Sequence, residues 1–232
     1  MCGILFTLAV PPSPAHISLV SLRGPDSTKT HTVTTPAGND LTFTSSLLSV
    51  RGAEPTAQPL VDPATGSVLC WNGEAWRIRG APIAHSANDT REVFKVLLAA
   101  PAGNVQDVLG HIDGEFAFVF YDAVAGVCWY GRDWAGRRSL VTRMGAGTLE
   151  VASVGDGVAG CAWAEVEAGG VWCVDVDAGT SVWIAERSDG RKVLIYMPLF
   201  WVLACVNCVG DRSTMSPAST KPSRRWVVLR SR

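Results

Sequence analysis

Charge is scarce in this chain and evenly split. Twenty lysines and arginines face 21 aspartates and glutamates, and charged residues make up 18% of the whole, with a formal net of −1. Without a basic excess there is no sign of a nucleic-acid surface, and without an acidic run no charged tail for a partner. Histidine is rare as well: four residues, at 16, 31, 85 and 111, none in a nucleophile–base signature. No internal repeat and no phosphate-cradling P-loop is visible. The first residues lack a positive n-region, and Pro11, Pro12 and Pro14 interrupt the opening apolar run, so a secretory leader is not expected. Residue 2 is not glycine, which rules out N-myristoylation.

Apolar residues are abundant. They form 47% of 232 residues, enough for a sizeable core and too many for general disorder. Seven cysteines, at 2, 70, 128, 161, 173, 205 and 208, are odd in number and mostly isolated in apolar runs. Reduced, largely buried thiols in a cytoplasmic setting are expected. No metal site is expected, because Cys205 and Cys208 form a lone CxxC with no second pair.

Runs of β-branched and aromatic residues predict strands at CGILFTLA, LTFTSSLLSV, SVLCW, EFAFVFYDA, GVCWYGRD, RSLVTRM, TLEVASV, VWCVDVD and SVWIAE. Several are apolar on both faces and need cover on both sides. Two helices are expected. DTREVFKVLLAA places Asp89 as N-cap with Glu92 three residues on, the pattern of a capping box, and VQDVLGHI continues helical spacing from Val105. Strands outnumber helices without βαβ alternation, so the expected class is α+β in layers. The pattern changes near residue 187. An apolar stretch, 193–209, then a basic Ser/Pro-rich end, suggest an atypical tail over 187–232 beside a domain over 2–186. The apolar stretch is at the short limit for a membrane span and contains Pro198 and Asn207, so membrane insertion is not expected.

Cys2 stands directly behind the initiator methionine. By position alone, a small buried strand cysteine is the simpler reading. If Met1 is trimmed, Cys2 carries both a thiol and a free α-amine of pKa about 7.7–8.0, which can serve as base for its own side chain. Asn72-Gly73 after a strand is ordinarily a turn, yet an amide side chain beside a glycine N–H also supplies the donors of an oxyanion hole. RGPDS (23–27) and GRDWAGRRSL (131–140) mix turn residues with charge and read singly as solvated loops.

Their order is more specific than any one of them. Met-Cys-Gly-Ile, RGPDS, WNGE, NDT, DGEFAFVFYD and GRDWAGRRSL together resemble the class II glutamine amidotransferase domain of the asparagine synthetase type. The wording is nearest to its asparagine synthetase domain-containing branch. The resemblance runs from Cys2 to about Glu186. It implies the four-layer αββα sandwich of the N-terminal nucleophile hydrolases, L-glutamine as substrate and a glutaminase step without a cofactor. It implies Cys2 as nucleophile and Asn72 and Gly73 as oxyanion hole. Glu74 and Asp89 would hold the substrate ammonium, and Val50 and Arg51 would contribute to substrate binding. RGPDS and GRDWAGRRSL would buttress the site or face a partner domain. Counting back from Gln58-Pro59-Leu60, Leu47 stands where the family carries its carboxylate-binding arginine, and Arg51 lies four residues on. A complete synthetase carries a second domain with an SGGxDS-type ATP loop, which is not found here, so a separate synthetase-like chain is the expected ammonia acceptor. A catalytically silent binding or scaffold module is the alternative. Finally, Gly155-Asp156-Gly157-Val158-Ala159-Gly160 fits GxGxxG, but no helix is expected after it, which excludes a dinucleotide site.

Overall fold

The computed structural model describes residues 1–49, 55–101, 104–158, 162–186 and 192–198. Three helices and fourteen strands are present among them. The N-terminal half carries β1 (Gly3–Leu8), α1 (Pro14–Ser21), β2 (Ser27–Thr34), β3 (Asp40–Leu47), β4 (Leu60–Val61), β5 (Val68–Ile78), β6 (Ala81–Pro82), α2 (Asp89–Leu98) and α3 (Val105–Gly110). Then follow β7 (Ile112–Asp122), β8 (Val127–Arg132), β9 (Val141–Gly145), β10 (Thr148–Ala152), β11 (Ala164–Glu165), β12 (Gly170–Asp175), β13 (Thr180–Glu186) and β14 (Lys192–Pro198).

The strands form two sheets. One runs β11-β9-β10-β1-β3-β2, the other β14-β13-β12-β8-β7-β5-β4, with β6 paired to β5. Strand pairs within each are antiparallel. Alternation explains the stacking. Ile4, Phe6 and Leu8 of β1 share a buried cluster with Phe43, Val68, Cys70, Val119 and Tyr130, which fills the space between the sheets. The other face of the second sheet (Leu69, Trp71, Phe118, Trp129) packs on Val93, Phe94 and Leu97 of α2 and Val105, Val108 and Leu109 of α3. On the far side, α1 lays Val20 and Ile17 against Leu5 and Ala152. The result is helix, sheet, sheet, helices: the expected αββα sandwich. Each large side chain sealed this way contributes roughly 1.5–3 kcal/mol.

Several elements were not anticipated, α1 and β2 among them. Pro14 begins α1 rather than breaking the chain: Ser13 caps the helix by accepting the His16 amide, and proline is pre-shaped for the first helical position. β2 is a polar edge strand, its exposed threonines Thr30 and Thr32 meeting Thr44 and Thr42 hydroxyl to hydroxyl at 2.9 and 3.3 Å. Such polar edges discourage pairing with other chains. At the other end, β14 pairs along its whole length with β13, from Thr180↔Pro198 to Glu186↔Lys192. The pattern change at residue 187 therefore falls between two paired strands of one sheet. Residues 199–232, with Cys205 and Cys208, lie outside the described residues. Among those described, no helix is long and apolar enough to cross a membrane.

The capping expectation needs correction. Asn88, not Asp89, caps α2, accepting the Arg91 amide at 3.1 Å. Asp89 is the first helical residue, and the box with Glu92 does not form around it. Its carboxylate instead receives the Ala75 amide from β5 at 2.8 Å.

Candidate active site

The period-two pattern of β1 places Cys2 in line with Ile4, Phe6 and Leu8, on the side facing the other sheet. β5 behaves alike: Val68 and Cys70 fill the inter-sheet core, and Asn72 and Glu74 continue that face. Across the β5–β7 ladder, Glu74 is registered with Glu115 and Gly73 with Phe116. Asn72, Glu74 and Glu115 thus stand together on the second sheet beyond its apolar filling, on the side turned toward the sheet that carries β1.

RGPDS braces the Cys2 end. Arg23 donates Nε to the Cys2 carbonyl at 3.3 Å. Asp26 donates its amide to Leu47 O at 3.0 Å and accepts the Ser49 amide at 2.7 Å. Gly24 lies against β3 so closely that a Cβ would stand 2.5 Å from the Leu47 carbonyl carbon. The Cys2 thiol points to Leu48 O at 3.7 Å. Burial pushes this thiol above its ordinary pKa, and Asp89 adds to that, while the terminal ammonium and Arg138 pull the other way.

Asn72 is 1% exposed, and its Nδ2 is buried with no hydrogen-bond partner among the described residues. A buried donor without an acceptor is costly and calls for a reason. Gly73 has a steric one. A Cβ there would collide with the Glu115 carbonyl oxygen and stand 2.6 Å from Phe116 Cα. Preceding them, the Trp71 amide is fixed by Gln58 Oε1 at 2.7 Å. Asp89, 4% exposed, approaches from α2.

GRDWAGRRSL is organised by one carboxylate. Asp133 accepts the amides of Phe116, Ala135 and Arg137 at 3.2, 3.0 and 3.0 Å. Downstream, Arg138 pairs with Glu115 at 3.3 Å and Arg137 with the same carboxylate at 3.7 Å. Arg23 and Arg138 were not singled out from the sequence. Only their place inside the RGPDS and GRDWAGRRSL motifs hinted at them.

Asn72, Gly73 and Glu74 are consecutive on β5, Asp89 holds the amide of the next residue, Ala75, and the Asp89 charge acts on Cys2. Leu47 is a buried strand residue, paired with Ser27 and bridged to Pro25. Val50 and Arg51 lie outside the described residues. Among the described residues, no three or more of His, Cys, Asp and Glu are grouped to hold a metal, and 155–158 are not helical.

Residues 1–167 match the model of the glutamine amidotransferase domain family. The chain belongs to this family. Curated relatives carry the name asparagine synthetase domain-containing protein 1. The mouse protein is 33% identical over 120 residues and the human one 32% over 117. The matched stretches cover 49% and 48% of this chain and 18% of each relative, so the matched part spans under a fifth of those proteins. Among solved structures, glutamine phosphoribosylpyrophosphate amidotransferase from B. subtilis superposes with a TM-score of 0.52 at 16% identity, covering 85% of this chain and 49% of that one. That likeness concerns the fold, and it agrees with the αββα sandwich described above.

Proposed function

We propose that this amidotransferase domain hydrolyses L-glutamine to glutamate and ammonia, with Cys2 as nucleophile once Met1 is removed. The observation that carries this reading is the Asn72 amide, buried with no hydrogen-bond partner among the described residues, on the strand β5 whose Val68 and Cys70 share the inter-sheet core with Ile4 and Phe6 of β1. The α-amine takes the thiol proton, and Sγ attacks the side-chain carboxamide carbon. The developing oxyanion is received by Asn72 Nδ2 and the Gly73 N–H, a type of stabilisation worth about 10²–10³ in rate per donor. The C–N bond breaks, the amine returns its proton to the leaving ammonia, and a thioester remains. Water then attacks the thioester carbonyl, glutamate leaves and the thiol is restored. This step draws on side chains, the terminal amine and water, and needs neither ATP nor a metal. Asp89 and Glu74 offer negative charge to the substrate ammonium. A synthetase-like chain would be the acceptor if the ammonia is passed on, and the cytoplasm suits a reduced Cys2.

A second reading, a silent binding module, draws on the buried Leu47, which leaves the family's carboxylate clamp unfilled at that position. One preparation separates the two. Intact mass reports whether Met1 is gone, and glutamate release from millimolar glutamine reports turnover. The hydrolytic reading expects release that Cys2→Ala abolishes. A processed protein with no release, and no labelling by a glutamine-analogue electrophile, would establish the silent module instead.

A further inference from the structure

β5 is paired along one edge with β7, but its other edge is covered only at the ends. There β4 pairs with Val68 and Leu69, and β6 with Arg77 and Ile78. Between them, beside residues 70–76, no strand lies on that edge among the described residues. Two side chains stand where that strand would be. Gln58 Oε1 accepts the Trp71 amide at 2.7 Å, and Asp89 Oδ2 accepts the Ala75 amide at 2.8 Å, both bonds buried.

Gly73 lies midway between those two amides. Alternate N–H groups of a strand point to the same edge, so the Gly73 N–H turns the same way as those of Trp71 and Ala75. The partner strand agrees. Phe116, registered with Gly73, donates its amide to Asp133 Oδ2 at 3.2 Å, and its carbonyl accepts the Asp133 amide at 2.9 Å. Asp133 follows β8, on the side of β7 away from β5. When one member of a registered antiparallel pair turns its backbone groups away from the ladder, the other does too. The Gly73 N–H therefore opens onto the uncovered edge, about 7 Å along the strand from the bonded N–H on either side.

The edge is uncovered because of Pro59. Extending the β4 register backward from Leu60↔Leu69 would set Gln58 opposite Trp71. Proline has no N–H to give a ladder, and β4 begins only after it, at Leu60. The Gln58 side chain, 3% exposed, then makes the bond that a strand carbonyl would otherwise make. The ladder gains one rung at Trp71 and stops short of Gly73.

We infer that Gln58 is a positioning residue for the oxyanion donors: by holding the Trp71 amide it keeps the Asn72 side chain and the Gly73 N–H in place. The inference rests on the proposed function in taking those two groups as the donors. Gln58 itself exchanges no bond or proton with the substrate.

The test sets steady-state glutamate release beside alkylation of Cys2 by iodoacetamide, both on the full chain with Met1 removed. Alkylation is an attack on a saturated carbon and builds no oxyanion. Gln58→Met removes the acceptor at similar length and is expected to lower kcat about tenfold, with KM changed by less than about twofold and alkylation unchanged. Gln58→Glu keeps an oxygen at the same reach and is expected to hold kcat within about threefold of the unmodified chain. Gln58→Leu serves if the methionine variant does not fold. An unchanged kcat in a folded variant lacking the acceptor overturns the inference. So does a rise in KM alone, which would mark substrate binding, and so does alkylation slowed along with turnover, which would mark a general loss of structure. A folded glutamate variant as slow as the methionine one overturns it as well. A chain that releases no glutamate refutes the proposed function, and backbone amide exchange then decides the inference. Faster exchange at Trp71 and Gly73 in Gln58→Met, restored in Gln58→Glu, upholds it; unchanged exchange overturns it.

Discussion

Two charged clusters in this molecule differ in one respect. On the outer face of the first sheet, Arg143 is gripped on all sides. It bonds Glu150 at 2.9 Å through Nε and again through Nη2, and Asp156 at 3.2 and 3.0 Å, and stacks 4.5 Å from the Trp163 ring. Asp156 is also bonded by Trp163 Nε1 at 3.0 Å and the Val158 amide at 3.2 Å. Elsewhere, Arg23, Arg138 and Asn72 each keep a buried donor with no partner among the described residues. Both clusters are partly enclosed, so enclosure does not separate them; satisfaction does. A closed network holds a fold in one arrangement, whereas open donors, costly to bury, mark the place where another group is awaited.

The comparison can be broken from either side. The largest effect is expected from Gly73→Ala, because the new methyl meets the Glu115 backbone. A loss of about 3 kcal/mol or more in urea unfolding is expected, together with loss of Cys2 labelling, since strand β5 must move to relieve the clash. Asp156→Asn should cost about 2 kcal/mol at neutral pH while leaving the Cys2 alkylation profile in place. Its acid dependence has a definite sign. Burial opposes ionisation of Asp156, yet the Trp163, Val158 and Arg143 bonds outweigh it and lower its carboxyl to about 2. A depressed carboxyl stabilises the fold above its unfolded value, about 3.9, and that contribution fades as pH falls toward about 2. The variant should therefore lose this component of acid sensitivity, read as a flatter midpoint-versus-pH curve below about pH 4. The smallest effect is expected for Asn88→Ala, which removes the cap of α2 at about 1 kcal/mol by thermal or urea melting. It would sharpen the contrast by loosening the turn that carries Asp89 without touching either cluster directly.

Much of the fold was legible because alternation is a local property. The β1, β5 and β7 runs declare their inner faces in single stretches of sequence, and the αββα order followed from the motif resemblance. α1 was obscured by prolines that read as breakers, although Ser13-Pro14 is also a helix-start signal. β2 was hidden because an edge strand can be polar, with Thr, Lys and His at successive positions. The cap of α2 was misplaced by one residue for a non-local reason: Asn88 and Asp89 are both capable caps, and the Ala75 amide, fourteen positions away, draws Asp89 elsewhere. The candidate site was legible as a set of motifs but not as a charge arrangement. That Arg23 reaches the Cys2 carbonyl, and Arg138 the Glu115 carboxylate, is a property of the closed sandwich.

The place of β1 in its sheet carries a consequence for how the domain comes to exist. It is an interior strand, bonded on one side to β3 and on the other to β10, with Leu5 opposite both Thr44 and Ala152. Within this sequence Cys2 precedes residues 148–152 by about 150 positions, so its strand gains its second neighbour only when those have been made. At about 5–20 residues per second, that is a delay of roughly eight to thirty seconds. The strand that follows Cys2 is therefore made well before its second neighbour, and it gains its full surroundings only once most of the sandwich exists to hold it.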